Sequence, residues 1–231
     1  MNSNKMKKKI CLFILLLFSK DAFAHTDHYK AIVKIEMDVV RNGKIVGYSN
    51  YFFEHGDKKM TIKNYTKFNV DLLGVKIFSI LSEAIEVYED NKLINFKSNT
   101  FQNKKKKYVN LEYDNNSKKF IINGSSYKGE ADLDCVIGNW WNHEILKAKK
   151  QISPLSGSIK EQVVSFIKNE NLIINGQNYS AEHYKLKSKN KNLPDDKKLN
   201  FDIWIDKKNN LILKVKYKRM GEWEYRLKDF K

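Results

Sequence analysis

The stretch that decides the fold is Tyr29-Lys30-Ala31-Ile32-Val33-Lys34-Ile35-Glu36-Met37-Asp38-Val39-Val40-Arg41-Asn42-Gly43-Lys44-Ile45-Val46-Gly47-Tyr48-Ser49-Asn50-Tyr51-Phe52-Phe53-Glu54. Its first half alternates at period two: Tyr29, Ala31, Val33, Ile35, Met37 and Val39 fall on one face, with Lys30, Lys34, Glu36 and Asp38 on the other. Successive side chains of an extended chain point to opposite faces, so the pattern predicts a strand buried on one side. Asn42-Gly43 follows. Both central residues of a type I′ turn need φ > 0, which this pair tolerates, and a return strand is expected over 44–54.

The same pattern continues outward. Asn123-Gly124 and Asn175-Gly176 repeat the turn chemistry, and polar breaks at 55–58, 90–91, 115–118 and 207–210 separate further alternating runs. Strands are predicted near 29–40, 44–54, 59–71, 75–89, 92–101, 107–113, 118–123, 159–169, 171–175, 178–188, 198–206, 211–219 and 222–229. Short connections force antiparallel neighbours, because a parallel crossover needs about a dozen residues. The exception is 140–150. There Trp141, Ile145 and Ala148 recur at helical spacing, Leu146 widens the stripe, and Lys147, Lys149 and Lys150 gather where a helix dipole favours cations. The expected fold is mostly β: a curved antiparallel meander, or incomplete barrel, with one short helix covering the concave face through Trp141 and Ile145.

The chain has 231 residues, 42% of them apolar and 13% aromatic, which excludes disorder and supports an ordinary core. Its start reads as an address. Lys5, Lys7, Lys8 and Lys9 precede an unbroken apolar run at 10–18, and Ala22-Phe23-Ala24 places small residues at −3 and −1. This predicts a secretory signal peptide over 1–24, cleaved after Ala24, and a single β-rich periplasmic domain over 25–231. Nine apolar residues are too few to span a bilayer of about 30 Å. Cys11 lies at the start of the run rather than after it, which argues against a lipid anchor. Without the signal, 38 positive residues stand against 26 negative, a net +12.

Chemistry-bearing motifs are few. No G-x-x-x-x-G-K-[ST], C-x-x-C, H-E-x-x-H or G-x-S-x-G occurs. Five His, at 25, 28, 55, 143 and 183, leave little for a triad or a closed metal site, and no catalytic residue, metal site or cofactor is predicted. His25 at a new N-terminus, with His28 nearby, could chelate a copper-like ion, but a frayed terminus is the expected state. Cys135 is alone after cleavage and reads as a small buried apolar side chain. Lys outnumbers Arg by 40 to 3, which argues against nucleic acid, whose bidentate reading favours Arg. The run at 104–107 reads as a solvated loop, and weak contact with an anionic membrane surface is the partner the charge allows.

Gly138-Asn139-Trp140-Trp141-Asn142, the segment after it and the Leu155-Ser156-Gly157 turn resemble the marks of an uncharacterised family of exported bacterial proteins, domain of unknown function 6134. Other segments look alike in order: 42–47, 86–93, 174–181 with Tyr184 and Leu186, and 202–206. The chain departs from that pattern at Trp140 and His143, where a small polar residue and Pro are expected. The resemblance implies an exported, mostly β protein and no activity.

In the run 72–81, Val75, Ile77 and Leu81 point one way, Phe78 and Ile80 the other, so both faces are apolar. A strand covered on both sides, a bulge that resets the phase and a ligand-facing surface all fit. The leading expectation is a non-catalytic envelope protein that holds a hydrophobic or lipid-like ligand between sheet and helix, with Phe78, Ile80, Trp140, Trp141 and Trp223 as contacts. The alternatives are a structural or protein-interaction module with a dry core, and an enzyme with an unrecognised site. Oligomeric state is not legible.

Overall fold

The computed structural model describes residues 28–231; the predicted signal peptide and His25 lie outside the described residues. The opening hairpin is β1 (Lys34–Arg41) and β2 (Lys44–His55), followed by β3 (Lys59–Leu72) with β4 (Val75–Glu89), and β5 (Lys92–Gln102) with β6 (Lys105–Asp114). Next come β7 (Lys119–Gly124) and three short strands, β8 (Lys128–Ala131), β9 (Cys135–Ile137) and β10 (Lys150–Ile152). The chain ends with β11 (Ile159–Ile174), β12 (Gln177–Ser188), β13 (Asn200–Asp206), β14 (Ile212–Lys218) and β15 (Glu222–Phe230).

These strands form one 15-stranded sheet, in the order β8-β7-β6-β5-β4-β3-β2-β1-β15-β14-β13-β12-β11-β10-β9. The first and last strands pair at its middle, with Ile35 opposite Phe230 and Arg41 opposite Trp223. The sheet curls into a nearly closed barrel with one seam, between its end strands β8 and β9. Two contacts tie the seam: Ser126 N–H donates to the Ser156 carbonyl at 2.9 Å, and Lys150 pairs with Asp132 at 2.9 Å. The chain passes so close here that a Cβ on Gly124 would lie 2.5 Å from the Ser156 carbonyl oxygen.

The alternation read in the opening stretch holds from Ile35 onward, where Ile35, Met37 and Val39 are buried. Upstream it does not: β1 begins at Lys34, and Ala31 and Val33 are exposed. A turn closed by Ile32 N–H on the Tyr29 carbonyl breaks the extended chain there, yet buries Tyr29. β11 is one strand where two were expected, because Ile167 is inserted as a bulge opposite β12 and shifts the alternation without ending the pairing. β8, β9 and β10 were missed because three or four residues carry too little period to read.

The helix predicted at 140–150 is the main correction. Only His143–Leu146 coils, as one 3-10 turn capped by the Asn142 side chain. β9 and β10 are parallel, the only such pair among the described strands, so 138–149 must travel back as a crossover. Within it Lys147 and Ala148 N–H donate to the Glu144 carbonyl, but other backbone groups are taken by strand side chains. Trp140 N–H donates to Tyr51 Oη, and Gln162 Nε2 donates to the carbonyls of Ile145 (2.6 Å) and Ala148 (2.9 Å). Fixing a first helical turn is unfavourable by itself, and these bonds offer a better alternative. The covering role is nevertheless kept: Trp141 and Ile145 are 1% and 0% exposed, packed into the main core.

Candidate functional site

Val39, Gly47, Phe68 and Ile80 form one cross-strand row from β1 to β4. Gly47 is required in it, since a Cβ there would overlap the Lys67 carbonyl and the Phe68 side chain. Val39, Phe68, Val70, Ile80 and Trp223 make a small cluster separate from the main core, with Phe78 and Tyr217 at its margin. Phe68 and Phe78 meet the Trp223 ring at 5.5 and 6.0 Å, edge-on. The cluster sits at the end of the barrel that carries the turns at 42–43, 73–74, 103–104 and 219–221, the mouth. Glu222 N–H donates to Asn42 Oδ1 and Arg41 to the Met220 carbonyl, joining two of these turns.

The doubly apolar run is explained by a bulge. Val70 faces Phe78 and Asp71 faces Lys76, which leaves Ile77 as the extra residue. Phe78 and Ile80 then point inward, while Val75, Ile77 and Leu81 stay outside at 63%, 41% and 49% exposure. At the tip, Leu73 adopts φ 50° beside Gly74 and is 96% exposed.

The five predicted contacts do not converge on one site. Phe78, Ile80 and Trp223 share the mouth cluster. Trp140 reaches it through a relay of rings: Trp140 to Phe201 at 5.1 Å, Phe201 to Tyr217 at 5.4 Å, and Tyr217 stacked on Trp223 at 6.0 Å. Trp141 lies in another nest, against Tyr29 (5.0 Å), Phe53 (5.5 Å) and Tyr88 (5.7 Å).

That second nest holds a group the sequence reading missed. Glu86, on β4, is 2% exposed and has no ion pair among the described residues. Trp141 Nε1 (3.0 Å), Asn139 Nδ2 (2.5 Å) and Tyr88 Oη (3.1 Å) all donate to it, fastening the crossover to the barrel wall. Burial pushes its carboxyl up to about 7, and the three donors pull the other way. Burial also raises the neighbouring Tyr51 to about 12. The signal was available in parity, because Ile80, Ser82, Ala84, Glu86 and Tyr88 occupy successive inward positions of β4. Two of the residues that mark the family resemblance, Asn139 and Trp141, are thus the donors that hold this carboxyl.

Little else in the barrel resembles a reaction centre. Among the described residues, no group of three or more His, Cys, Asp or Glu is placed to hold a metal. An open groove of about 400 Å³ beside Trp223 is lined by charges, among them Lys185, Asp202, Lys216, Glu224 and Arg226. A smaller one of about 180 Å³ lies at the seam beside Cys135, whose thiol burial pushes up to about 11, far from the range of a reactive thiolate. No described helix is long and apolar enough to cross a membrane.

The sequence profile of domain of unknown function 6134 matches residues 37–228. No curated protein matches the chain. In structure it is similar to a β-barrel-like protein of domain of unknown function 1849 from Brucella abortus, with 9% identity, a TM-score of 0.58, and coverage of 86% of this chain and 96% of that one. A Bacteroides fragilis protein, described as a presumed exported protein with a YmcC-like fold, aligns at 12% identity over 86% of this chain and 94% of that one, with a TM-score of 0.35. The first likeness shows the barrel fold; no catalytic family is indicated.

Proposed function

Because this chain belongs to the family of domain of unknown function 6134, which brings no activity with it, we propose from its geometry a non-catalytic envelope protein whose mouth binds a hydrophobic or lipid-like molecule. The observation that supports this reading is the small aromatic cluster at the mouth, separate from the main core and closed by a hairpin end whose tip is exposed. Past Phe68 and Ile80 this end is in ladder register with neither β2 nor β5, so it belongs to the part of the fold that opens at least cost. Displacing it uncovers Phe68, Phe78 and Trp223 without disturbing the core around Trp141. An acyl chain laid on these rings regains the apolar contact that the hairpin gives up. This reading takes the amino-terminal segment as a cleaved export signal and the mature chain as periplasmic.

A fluorescent fatty-acid probe tests it. The wild type is expected to bind saturably, and Phe78→Ser and Ile80→Ser to fold while losing that binding. The second reading, a dry-core interaction module, draws support from the ring relay and from the crossover that fills the interior. Absence of probe binding, with both Ser variants unfolded by a buried hydroxyl lacking a partner, decides for it.

A further inference from the structure

We propose that the mouth of the barrel docks on the surface of an anionic lipid bilayer, with the tips at Leu73 and Met220 entering the headgroup layer. This goes beyond the ligand reading and does not depend on it.

The charges of the barrel are sorted by end. Five of the mouth connections, 41–44, 72–75, 102–105, 188–200 and 218–222, each taken with one flanking strand residue, contain ten Lys and Arg against three Asp and Glu. The five connections at the opposite end, 54–59, 89–92, 114–119, 174–177 and 206–211, contain seven against six. The excess of Lys that composition shows as a whole-chain average is therefore concentrated at one end.

Apolar side chains protrude from the same end. Leu73 is 96% exposed, Met220 86%, Val75 63% and Ile45 61%. Leu73 and Met220 belong to different hairpins, β3–β4 and β14–β15, whose inner residues Phe78 and Trp223 touch, so both tips frame one aromatic cap. Their neighbours include Lys44, Lys76, Lys218 and Arg219. Protruding apolar tips on turns rich in cations fit an anionic bilayer on both counts: the cations meet the headgroup charge and the tips meet the acyl boundary. An acidic protein surface answers only the charge.

Co-sedimentation of the exported chain with vesicles tests the proposal. Vesicles of phosphatidylcholine with phosphatidylglycerol are expected to bind it at least about tenfold more tightly than phosphatidylcholine alone, with most of the difference lost in roughly 0.5 M salt, where the Debye length is a few ångströms. Leu73→Asn with Met220→Asn removes apolar surface without changing charge and keeps a residue that tolerates φ > 0. This variant should lose about tenfold or more in affinity for the anionic vesicles. Ile173→Asn, at an apolar position 76% exposed beside the opposite-end turn at 175–176, should bind as the wild type does. Equal binding to both vesicle types, no binding to either, or a double variant indistinguishable from wild type each overturns the proposal. Phe78→Ser keeps both tips, so vesicle binding by that variant without probe binding separates this inference from the ligand reading.

Discussion

Glu86 should make the barrel less stable as pH rises, and Glu86→Gln should remove that dependence. The carboxyl titrates near 4.5 when exposed and at about 7 in the fold, where burial disfavours its charge. Below 4.5 it is protonated in both states and contributes no difference. Between the two values the unfolded chain releases the proton while the folded chain keeps it, so stability falls with pH. Above 7 both states are ionised, the fold carries a buried charge, and the loss is complete. At about 1.4 kcal/mol per pH unit the total is ~3 kcal/mol, of which ~2 falls between pH 5.5 and 8.5. Glutamine keeps the geometry: its oxygen accepts from Trp141 and Asn139, and its amide donates to the Tyr88 hydroxyl. Tyr51 and Tyr88 stay neutral throughout, because burial raises both. Urea unfolding of both proteins at pH 5.5, 6.5, 7.5 and 8.5 gives the two profiles. The variant should gain ~2 kcal/mol relative to wild type across the series, equivalent to a melting-temperature change of about 4–8 °C for a domain of this size. Profiles that run parallel to within the error of the extrapolation would refute the idea that an uncompensated carboxyl fastens the crossover.

Trp141→Ala removes a fully buried ring that fills the centre of the second nest, and denaturant melts should show a loss of about 3–5 kcal/mol. Gly124→Ala forces a Cβ against the Ser156 carbonyl, and is expected to cost about 1–3 kcal/mol and to speed amide exchange at Ser126, whose N–H bridges the seam. Amino-terminal sequencing of protein recovered from the periplasmic fraction should read from His25; an intact Met1 contradicts cleavage after Ala24.

The sequence determined what nearest neighbours determine. Alternation at Ile35, Met37 and Val39 and the φ > 0 pair Asn42-Gly43 are local, so strands and hairpin turns could be read one at a time, and antiparallel order followed from short connections. In the run 72–81 only the opposite parities of Val75 and Leu81 against Ile80 were legible; that the first two are exposed and Ile80 buried, and that Ile77 is the inserted residue, the folded sheet decides. Tertiary structure alone decided the rest. The pairing of β1 with β15 joins residues nearly two hundred apart, and no local pattern records it. The stretch 140–150 has helical spacing, yet the Trp140 N–H finds Tyr51 and the Ile145 and Ala148 carbonyls find Gln162, partners that come only with the sheet, Tyr51 from a strand nearly ninety residues away. Glu86 shows the same division. Its inward position is a matter of parity along β4, but its full burial depends on a crossover more than fifty residues further on closing over it, because desolvation is a property of everything packed around a group and not of its place in the chain.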